Sequence, residues 1–273
     1  MNLYLFPQAA SLEGGYGIAV DLGYQILRPQ KEDIVLWYTN RNANDILHYR
    51  NNDIILQRFG HFSYNSFLNI ARGRVRSEVS VSQLEFLKQY KFDLIHCDDV
   101  IFYRAIRKLF PDTPLQVRFH NCFSRIYFRN MILQEKLGYA FEITLKCELR
   151  LERMIFKDAN VRKVFLSKED CDFYTSMMGT YSDADIWPFK FDVEEGEKNR
   201  KVISPTRKLV WFGGLNSHKT ASVRWFLNEV LPTIKDSIPD VEVHLYGAGT
   251  KSFDNPQNKV FGHGFYHGED VVP

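Results

Sequence analysis

The sequence predicts an α/β protein built from parallel sheets with helices on both faces. Short apolar runs alternate with segments of helical periodicity along most of the 273 residues, and this alternation is typical of doubly wound folds. Several apolar runs, such as 209–212, are continuous, as expected of strands that are covered on both faces. A polar run at 193–207 interrupts the pattern. We therefore predict an N-terminal domain over 1–192, a linker over 193–207 and a second domain over 208–273.

The first domain is predicted to alternate between strands and helices. Its strands are short apolar runs, and its helices have apolar residues at spacings of three and four. The segment 41–82 follows neither the strand pattern nor the helical spacing and receives no assignment. In chain order, the predicted strands are 2–6, 34–38, 92–97, 115–119, 164–166 and 186–187, and the predicted helices are 18–27, 83–90, 100–110, 131–157 and 168–178.

The second domain opens with a strand, a glycine-bearing loop and a helix. The loop begins at Gly213 and Gly214, Pro232 should kink or end the helix, and an alternating strand then stops at 247–249. Such a loop places backbone N–H groups at the positive end of a helix, beside the carboxyl edge of a parallel sheet, where phosphate groups bind. The apolar face of the helix comprises Val223, Phe226, Leu227, Val230, Leu231 and Ile234.

The segment 213–220, GGLNSHKT, nearly matches the triphosphate-binding loop of kinases and nucleotidases. It has the first glycine, the lysine and the threonine at the required spacing, but His218 replaces the glycine that precedes the lysine. An imidazole at that position crowds the approach of phosphate to the backbone. No later apolar strand ends in an aspartate that could bind magnesium. A phosphate-loop enzyme is therefore the alternative interpretation of this segment.

The second domain resembles the start of the C-terminal domain of GT-B glycosyltransferases, especially the retaining family 4. In that group an apolar strand leads to a G-x-L loop and to a helix with a WFL-x-E-x-LP pattern. A strand ending in G-x-G and a short G-F segment follow. The matching residues here are Gly213, Leu215, Trp225, Phe226, Leu227, Glu229, Leu231, Pro232, Gly247, Gly249, Gly264 and Phe265.

The first domain resembles the N-terminal domain of the same enzymes at several points. These are a Gly-Gly loop, a D-x-I-H strand, a strand ending in His-Asn, an S-x-x-D helix start, and a Pro followed by an Asp. Together the two resemblances imply a GT-B-like fold and the retaining transfer of a sugar from a nucleotide-sugar donor. The matching residues are Gly14 and Gly15, Asp93, Ile95 and His96, His120 and Asn121, Ser167 and Asp170, and Pro188 and Asp192.

The resemblance implies that the donor lies against glycines and one lysine. Lys219 would neutralise the diphosphate as the glycosidic bond breaks, and a solvated helix start is the alternative role for it. Ordinary turns are the alternative for the glycines. The candidate donor-binding residues are Gly14, Gly15, Gly213, Gly214, Lys219, Gly247, Gly249, Gly264 and Phe265.

The candidate catalytic residue is His120, because the resembling enzymes have a histidine here that contacts the transferred sugar. A purely structural histidine is the alternative. A buried Arg118 would need a partner. Asp98 and Asp99 could bind acceptor hydroxyls, and the alternative for one of them is to cap a helix. The candidate acceptor-binding residues are Asp98, Asp99, Arg118 and Asn121.

A basic band lies in the middle of the chain. Residues 101–163 carry 13 Lys/Arg and 6 Asp/Glu, a net charge of +7, whereas the whole chain has a net charge of +2. With aromatic residues between the bases, the band suits a lipid-phosphate acceptor at a membrane surface, and solvated helix faces are the alternative. We expect a cell-envelope or polysaccharide glycan acceptor, either lipid-linked or not, and no nucleic-acid partner.

The remaining features indicate a cytoplasmic enzyme without a cofactor. The four cysteines form no C-x-x-C pair and are expected to be buried reduced thiols. We expect no secretory leader, because Pro7 and Glu13 interrupt the short apolar start, and no run approaches the ~20 apolar residues of a membrane span. We expect a cytoplasmic location, with peripheral contact at the inner face of the membrane if the acceptor is lipid-linked. We expect no metal ion, and the nucleotide sugar is a substrate.

The resembling enzymes continue well beyond the segment that matches 264–265, and their continuation carries two spaced glutamates that hold the donor. The sequence therefore predicts only the first part of a second Rossmann-like domain. A non-catalytic, truncated scaffold is the third interpretation, beside the transferase and the phosphate-loop enzyme.

Overall fold

Parallel strand pairing organises the chain into two separate sheets. The computed structural model describes residues 1–8, 15–58, 64–120, 122, 124–125, 128, 139–178, 184–188, 207–215 and 217–265. Within these residues, one sheet has seven strands and the other has three. The first sheet belongs to Met1–Phe191, called unit 1, and the second to Asp192–Pro273, called unit 2. The predicted α/β class is confirmed, while the linker 193–207 lies outside the described residues except for 207.

Unit 1 contains a doubly wound sheet. Its strands are β1 Asn2–Phe6, β2 Ile34–Tyr38, β3 Ile54–Leu56, β4 Leu94–Cys97, β5 Leu115–Phe119, β6 Val161–Phe165 and β7 Ala184–Ile186. Their order is β3-β2-β1-β4-β5-β6-β7, and all six pairs are parallel. The chain thus winds outward from β1 and then from β4 in the opposite direction. In such folds, ligands bind outside the carboxyl ends of the strands at this reversal.

The helices of unit 1 lie between the strands in sequence. They are α1 Gly15–Leu27, α2 Tyr64–Ala71, α3 Val81–Leu84, α4 Tyr103–Leu109, α5 Tyr139–Lys157 and α6 Lys168–Met178. The predicted helices 83–90 and 100–110 are each partly 3₁₀, at Glu85–Gln89 and Val100–Phe102. The unassigned segment 41–82 supplies β3 and α2. The first part of the predicted helix 131–157, residues 131–138, lies outside the described residues.

The two faces of the larger sheet are covered differently. One face packs in a large apolar cluster that includes Leu5, Ile95 and Phe119. The other face has a smaller cluster around Phe6 and Trp37, which packs against α1. Along β4 and β5 this second face carries polar side chains, and these form part of the candidate site described below.

Unit 2 contains a strand–helix–strand crossover followed by a third strand. Its strands are β8 Lys208–Phe212, β9 Glu242–Tyr246 and β10 Val260–Gly264, in the parallel order β10-β9-β8. The predicted helix is a composite of α7 Ser217–Trp225, a π-helical segment Phe226–Val230 and α8 Leu231–Ser237. Pro232 lies in the first turn of α8. Since proline cannot donate to the carbonyl four residues earlier and crowds it, the wider π turn accommodates Pro232 and the helix continues.

The cysteine prediction is confirmed except for the burial of Cys171. All four cysteines are free thiols; three are buried and Cys171 is half-buried. In the described part of the chain, no helix combines the length and the apolar character that a membrane crossing requires.

Candidate functional site

Five polar side chains form a row on one face of the sheet, at the carboxyl ends of β4 and β5. His96 lies on β4 with Asp98 just beyond it, while Gln116 and Arg118 lie on β5 with His120 just beyond it. Residues two apart on a strand share a face, and His96 lies opposite Gln116. All five are buried. Because buried polar groups need partners, this polar row forms one hydrogen-bonded network.

Asp98 is the centre of the polar row. Its Oδ1 accepts a hydrogen bond from Arg118 Nη1 at 2.9 Å, and its Oδ2 lies 3.0 Å from His120 Nε2. His96 Nε2 lies 3.5 Å from Oδ1, and the Nδ1 of the same ring lies 2.9 Å from Gln116 Oε1. Burial alone would raise the pKa of Asp98. The charges of His120 and Arg118, and hydrogen bonds from the two histidines, outweigh burial and hold this pKa well below its ordinary value.

The ionised carboxylate of Asp98 sets the tautomer of His120. A carboxylate can only accept hydrogen bonds, so His120 Nε2 carries the proton and donates it to Oδ2. In the neutral ring, Nδ1 is then the nitrogen with the lone pair. The side chain of His120 is 2% exposed and that of Asp98 is 0% exposed. The imidazole is therefore held in one orientation at the carboxyl end of β5.

Arg118 connects the polar row to α1. Besides Asp98, its Nη1 donates to the carbonyl of Ala19 at 3.0 Å, and its guanidinium lies 6.0 Å from the ring centre of Trp187. The guanidinium also occupies the space beside Gly23 in α1, where an added Cβ would lie 2.2 Å from Nη1. A glycine in mid-helix is unfavourable by propensity, so Gly23 is explained by this close approach. The partner that a buried Arg118 needs is Asp98.

Asp99, another predicted acceptor-side residue, has a capping role in the structure. The carboxylate of Asp99 accepts a hydrogen bond from the backbone N–H of Ile101 at 3.0 Å and caps the helical turn that follows. This is the capping role that the sequence left open. Asn121 and Gly14 lie outside the described residues, and Gly15 is the first residue of α1.

In unit 2, two glycines bring the ends of β8 and β9 into backbone contact. Gly247 has a φ of +134°, and a Cβ there would lie 2.1 Å from the carbonyl oxygen of Gly213. Gly213 has a φ of +145°, and its N–H donates to the carbonyl of Tyr246 at 2.9 Å. No side chain fits at position 247, and both dihedral angles favour glycine.

Thr250 ties the third strand to the same edge. It is fully buried, and its hydroxyl donates to the carbonyl of Gly247 at 2.9 Å while accepting from the N–H of Gly264, also at 2.9 Å. Gly249 and Gly264 both have positive φ, at +85° and +80°. The carboxyl ends of β8, β9 and β10 thus meet in a compact group of glycine turns, which we call the glycine edge.

Positive charge lies beside the glycine edge. Helix α7 begins at Ser217, and Lys219 in its first turn places Nζ 3.7 Å from the point where a Cβ of Gly213 would stand. Gly214 is exposed, and a Cβ there would meet only Ala248, at 3.9 Å. Backbone N–H groups at a helix start and a nearby ammonium suit a phosphate group. Phe265, which follows β10, is 70% exposed.

Another buried carboxyl group, that of Glu148, lies on α5. Burial, followed by the nearby carboxylates of Asp99, Glu152 and Glu78, raises the pKa of Glu148 to about 9. Glu148 is therefore neutral near pH 7.

In the described part of the chain, no group of three or more His, Cys, Asp or Glu side chains is arranged to hold a metal ion.

Sequence reasoning missed several residues on which the candidate site depends. Gly23 was detectable as an isolated glycine within a helical pattern. Gln116 was detectable because polar residues alternate along a strand that otherwise reads as apolar. Trp187, whose ring stacks on His96 at 5.7 Å, and Thr250 gave no local signal, because their contacts are made by residues distant in sequence.

The sequence matches no protein-family model, and no curated protein matches it. Solved structures do match. Sucrose-phosphate synthase from Thermosynechococcus elongatus is 14% identical, with a TM-score of 0.61, over 99% of this chain and 72% of that chain. The HepE protein of Anabaena, solved in complex with UDP and glucose, is 12% identical, with a TM-score of 0.52, over 97% of this chain and 69% of that chain. This likeness shows that the chain has the GT-B type of fold, as predicted.

Proposed function

We propose that this protein transfers a sugar from a nucleotide-sugar donor to the hydroxyl group of a glycan acceptor. The observation that carries the proposal is the buried pair of Asp98 and His120 at the carboxyl end of β5, in a chain with the GT-B type of fold. The sugar transferases that this sequence resembles place a histidine there against the transferred sugar. The acceptor is a cell-envelope or polysaccharide glycan, and its lipid-linked form is the version that suits the basic band.

The donor diphosphate is assigned to the glycine edge of unit 2. When the bond between the anomeric carbon and the phosphate oxygen breaks, negative charge develops on the leaving nucleoside diphosphate. The start of α7 and the ammonium of Lys219 are placed to stabilise this charge. Gly214 leaves the backbone open to close approach by the phosphates, since nothing but Ala248 lies near its missing side chain.

The polar row of unit 1 is assigned to the sugar and the acceptor. His120 is the catalytic residue of the proposal, and Nδ1 is the ring atom with the lone pair for a sugar or acceptor hydroxyl proton. Asp98 contacts His120 and Arg118 contacts Asp98, so we assign these two residues the positioning of His120 rather than direct contact. Transfer with retention of the anomeric configuration follows from the resemblance to family 4.

The helix start argues against the phosphate-loop alternative. In a triphosphate-binding loop, the residues before the lysine wrap around the phosphates as a loop. Here α7 already begins at Ser217, so Lys219 is the third residue of a helix. Only Gly213 to 216 separate that helix from β8, which leaves too short a loop to surround a triphosphate. HepE was solved with UDP, and a uridine diphosphate is therefore the first probe for this chain.

The proposal is tested by calorimetric titration of the full chain with UDP in the absence of magnesium. The Lys219→Ala variant lacks the ammonium and should bind UDP roughly 10- to 150-fold more weakly, because a charge-assisted hydrogen bond contributes ~1.5–3 kcal/mol. Gly214→Val should weaken it as well, since the new side chain covers the exposed backbone without a clash in the fold. Lys208→Ala removes the same charge at the opposite end of β8 and should leave binding unchanged.

Three results would contradict the assignment of the donor site. The first is the absence of binding by every nucleoside diphosphate and nucleotide sugar tested. The second is equal weakening by Lys219→Ala and Lys208→Ala. The third is tighter binding of a triphosphate that requires magnesium, which would favour the phosphate-loop enzyme.

A further inference from the structure

A cationic stripe runs along the exposed face of α5. Lys146, Arg150, Arg153 and Lys157 are all exposed, and at 100° per residue they fall within about 60° of helix arc. They line a shallow groove of about 260 Å³, whose apolar floor includes Leu149 and Met154. The opposite face of the helix is buried in unit 1. The stripe is therefore a solvent-facing row of bases and not part of the packed core.

Two exposed aromatic rings lie on the neighbouring helix. Tyr64 and Phe67 on α2 are 74% and 70% exposed, and their spacing of three residues puts them on one side of the helix. Helix α2 packs against α5, and Arg150 Nη1 lies 3.3 Å from the point where a Cβ of Gly73 would stand, just beyond the end of α2. The aromatic pair and the cationic stripe thus lie on two helices that contact each other, and we consider their exposed faces as one surface.

The turn after α2 adds more bases to this surface. Arg72 is exposed, and Arg74 and Arg76 are half-buried. The turn is held in place because Asn69 Nδ2 donates to the carbonyls of Arg76 and Glu78, at 3.3 and 3.0 Å. Seven bases therefore belong to this surface: Arg72, Arg74, Arg76, Lys146, Arg150, Arg153 and Lys157.

Acidic side chains compensate this charge only weakly. Among the described residues, Lys146 pairs with Glu142 at 2.7 Å, and no described carboxylate forms an ion pair with Arg72, Arg153 or Lys157. Glu148 on the buried face of α5 is neutral near pH 7 because its pKa is raised to about 9. Two exposed rings beside a set of bases with little acidic compensation match an interface in which apolar rings enter a layer of anionic headgroups.

We infer that the surface formed by α2, the turn after it and the exposed face of α5 docks onto an anionic lipid bilayer. Tyr64 and Phe67 enter the headgroup region, and the bases contact lipid phosphates through long side chains. This inference goes beyond sugar transfer itself and names the surface that meets the membrane, although four of its bases belong to the basic band that suits a lipid-linked acceptor. Docking is measured without any nucleotide, so it can succeed or fail independently of the donor site.

The test is co-sedimentation of the full chain with phosphatidylcholine vesicles, with and without phosphatidylglycerol. We expect binding only to the anionic vesicles, and loss of that binding at high salt, because salt screens exposed charges. The variant Arg150→Glu/Arg153→Glu/Lys157→Glu should weaken binding by at least about a hundredfold, since the loss of each base alone costs about fivefold and the new carboxylates repel the anionic lipid. A control with the same change in net charge, Lys88→Glu/Lys91→Glu/Lys108→Glu, should keep most of the binding.

The aromatic contribution needs a separate pair of variants. Tyr64→Ser/Phe67→Ser should weaken binding by at least about tenfold, whereas Trp225→Ser, which removes a ring that is 62% exposed in unit 2, should not. Circular dichroism of each variant checks that the fold is kept. In addition, Phe67→Trp should show a blue-shifted emission on anionic vesicles, and this readout does not depend on loss of function.

Several outcomes would overturn the inference. Equal binding to both kinds of vesicle, or no binding at low salt, would exclude an anionic bilayer as the partner. Equal loss in the two charge-reversal variants would show that only net charge matters. Tighter binding to single-stranded RNA than to vesicles, lost through the same substitutions, would identify a nucleic-acid surface instead.

Discussion

Replacement of Asp98 by asparagine should cost a large part of the stability of unit 1. The carboxylate is fully buried and faces two close donors, Arg118 Nη1 at 2.9 Å and His120 Nε2 at 3.0 Å, besides the more distant His96 Nε2 at 3.5 Å. Asparagine has nearly the same shape and keeps one acceptor oxygen, so packing changes little. It loses the negative charge, however, and turns an amide group towards one of the two donors. Arg118, at 1% exposure, is then a buried cation without a counter-charge.

The size of the effect follows from these contacts. Breaking a buried ion pair by removing one partner costs about 3–5 kcal/mol, and the retained hydrogen bond places Asp98→Asn near the lower end. Leaving a second buried donor unsatisfied adds roughly 1–3 kcal/mol. We therefore expect a loss of about 4 kcal/mol, which is a substantial part of the ~5–15 kcal/mol that stabilises a typical domain.

The assay is equilibrium unfolding in urea, near neutral pH and again at acid pH. Because the pKa of Asp98 is lowered in the folded state, the stability it provides is present above the ordinary pKa of 3.8 and is lost as the pH falls below it. The difference between wild type and Asp98→Asn should therefore shrink in acid. Asp93→Asn, whose side chain is 75% exposed, is the control. A loss below ~1 kcal/mol, or a difference that does not change with pH, would refute the reasoning.

Three further substitutions test other parts of the structure. Gly23→Ala should destabilise unit 1 by about 1–3 kcal/mol in urea unfolding, because the new Cβ would lie 2.2 Å from Arg118 Nη1. Alanine has the better helix propensity, so an increase in stability would contradict the described close approach of Arg118. Gly247→Ala should unfold unit 2 or strongly reduce its Tm, because the new Cβ would lie 2.1 Å from a backbone oxygen. Gly214→Ala should leave the Tm of unit 2 unchanged, because its Cβ would have its nearest contact 3.9 Å away. Similar Tm values for the two variants would count against the described glycine edge. Glu148 has a pKa of about 9 in the folded protein and an ordinary pKa of 4.5, so its contribution to stability is complete below pH 4.5 and is lost as the pH rises to about 9. In that window, Glu148→Gln should remove a slope of about 1.4 kcal/mol per pH unit from the free energy of unfolding. An unchanged slope would show that Glu148 is ionised.

The sequence predicted the main elements because local patterns determine them. The strands 2–6, 34–38 and 115–119 and the helix 168–178 have the predicted bounds, since each is a clear run or a clear period. The segment 41–82 could not be assigned, because β3 is a three-residue edge strand and α2 has only eight residues. Elements of this size carry too few residues for a period to be recognised.

The candidate site was predictable only in part. His120 was identified from the resemblance to family 4, and Asp98 was a candidate because it follows the neighbouring apolar strand. The contacts of Arg118 with Ala19 and Gly23 depend on how α1 lies on the sheet, and no local pattern specifies that packing. Asp99 illustrates the same limit, because sequence alone does not decide between capping and binding.

The most direct test of the proposed function is the release of nucleoside diphosphate from a panel of nucleotide sugars by the full chain. We predict measurable release by the wild type from at least one sugar, without magnesium. The His120→Ala variant should release it about 10²–10⁴ times more slowly, while its affinity for UDP stays the same. Equal rates for wild type and His120→Ala would contradict the assigned role of the Asp98–His120 pair. The absence of both release and nucleotide binding would contradict the proposed function itself.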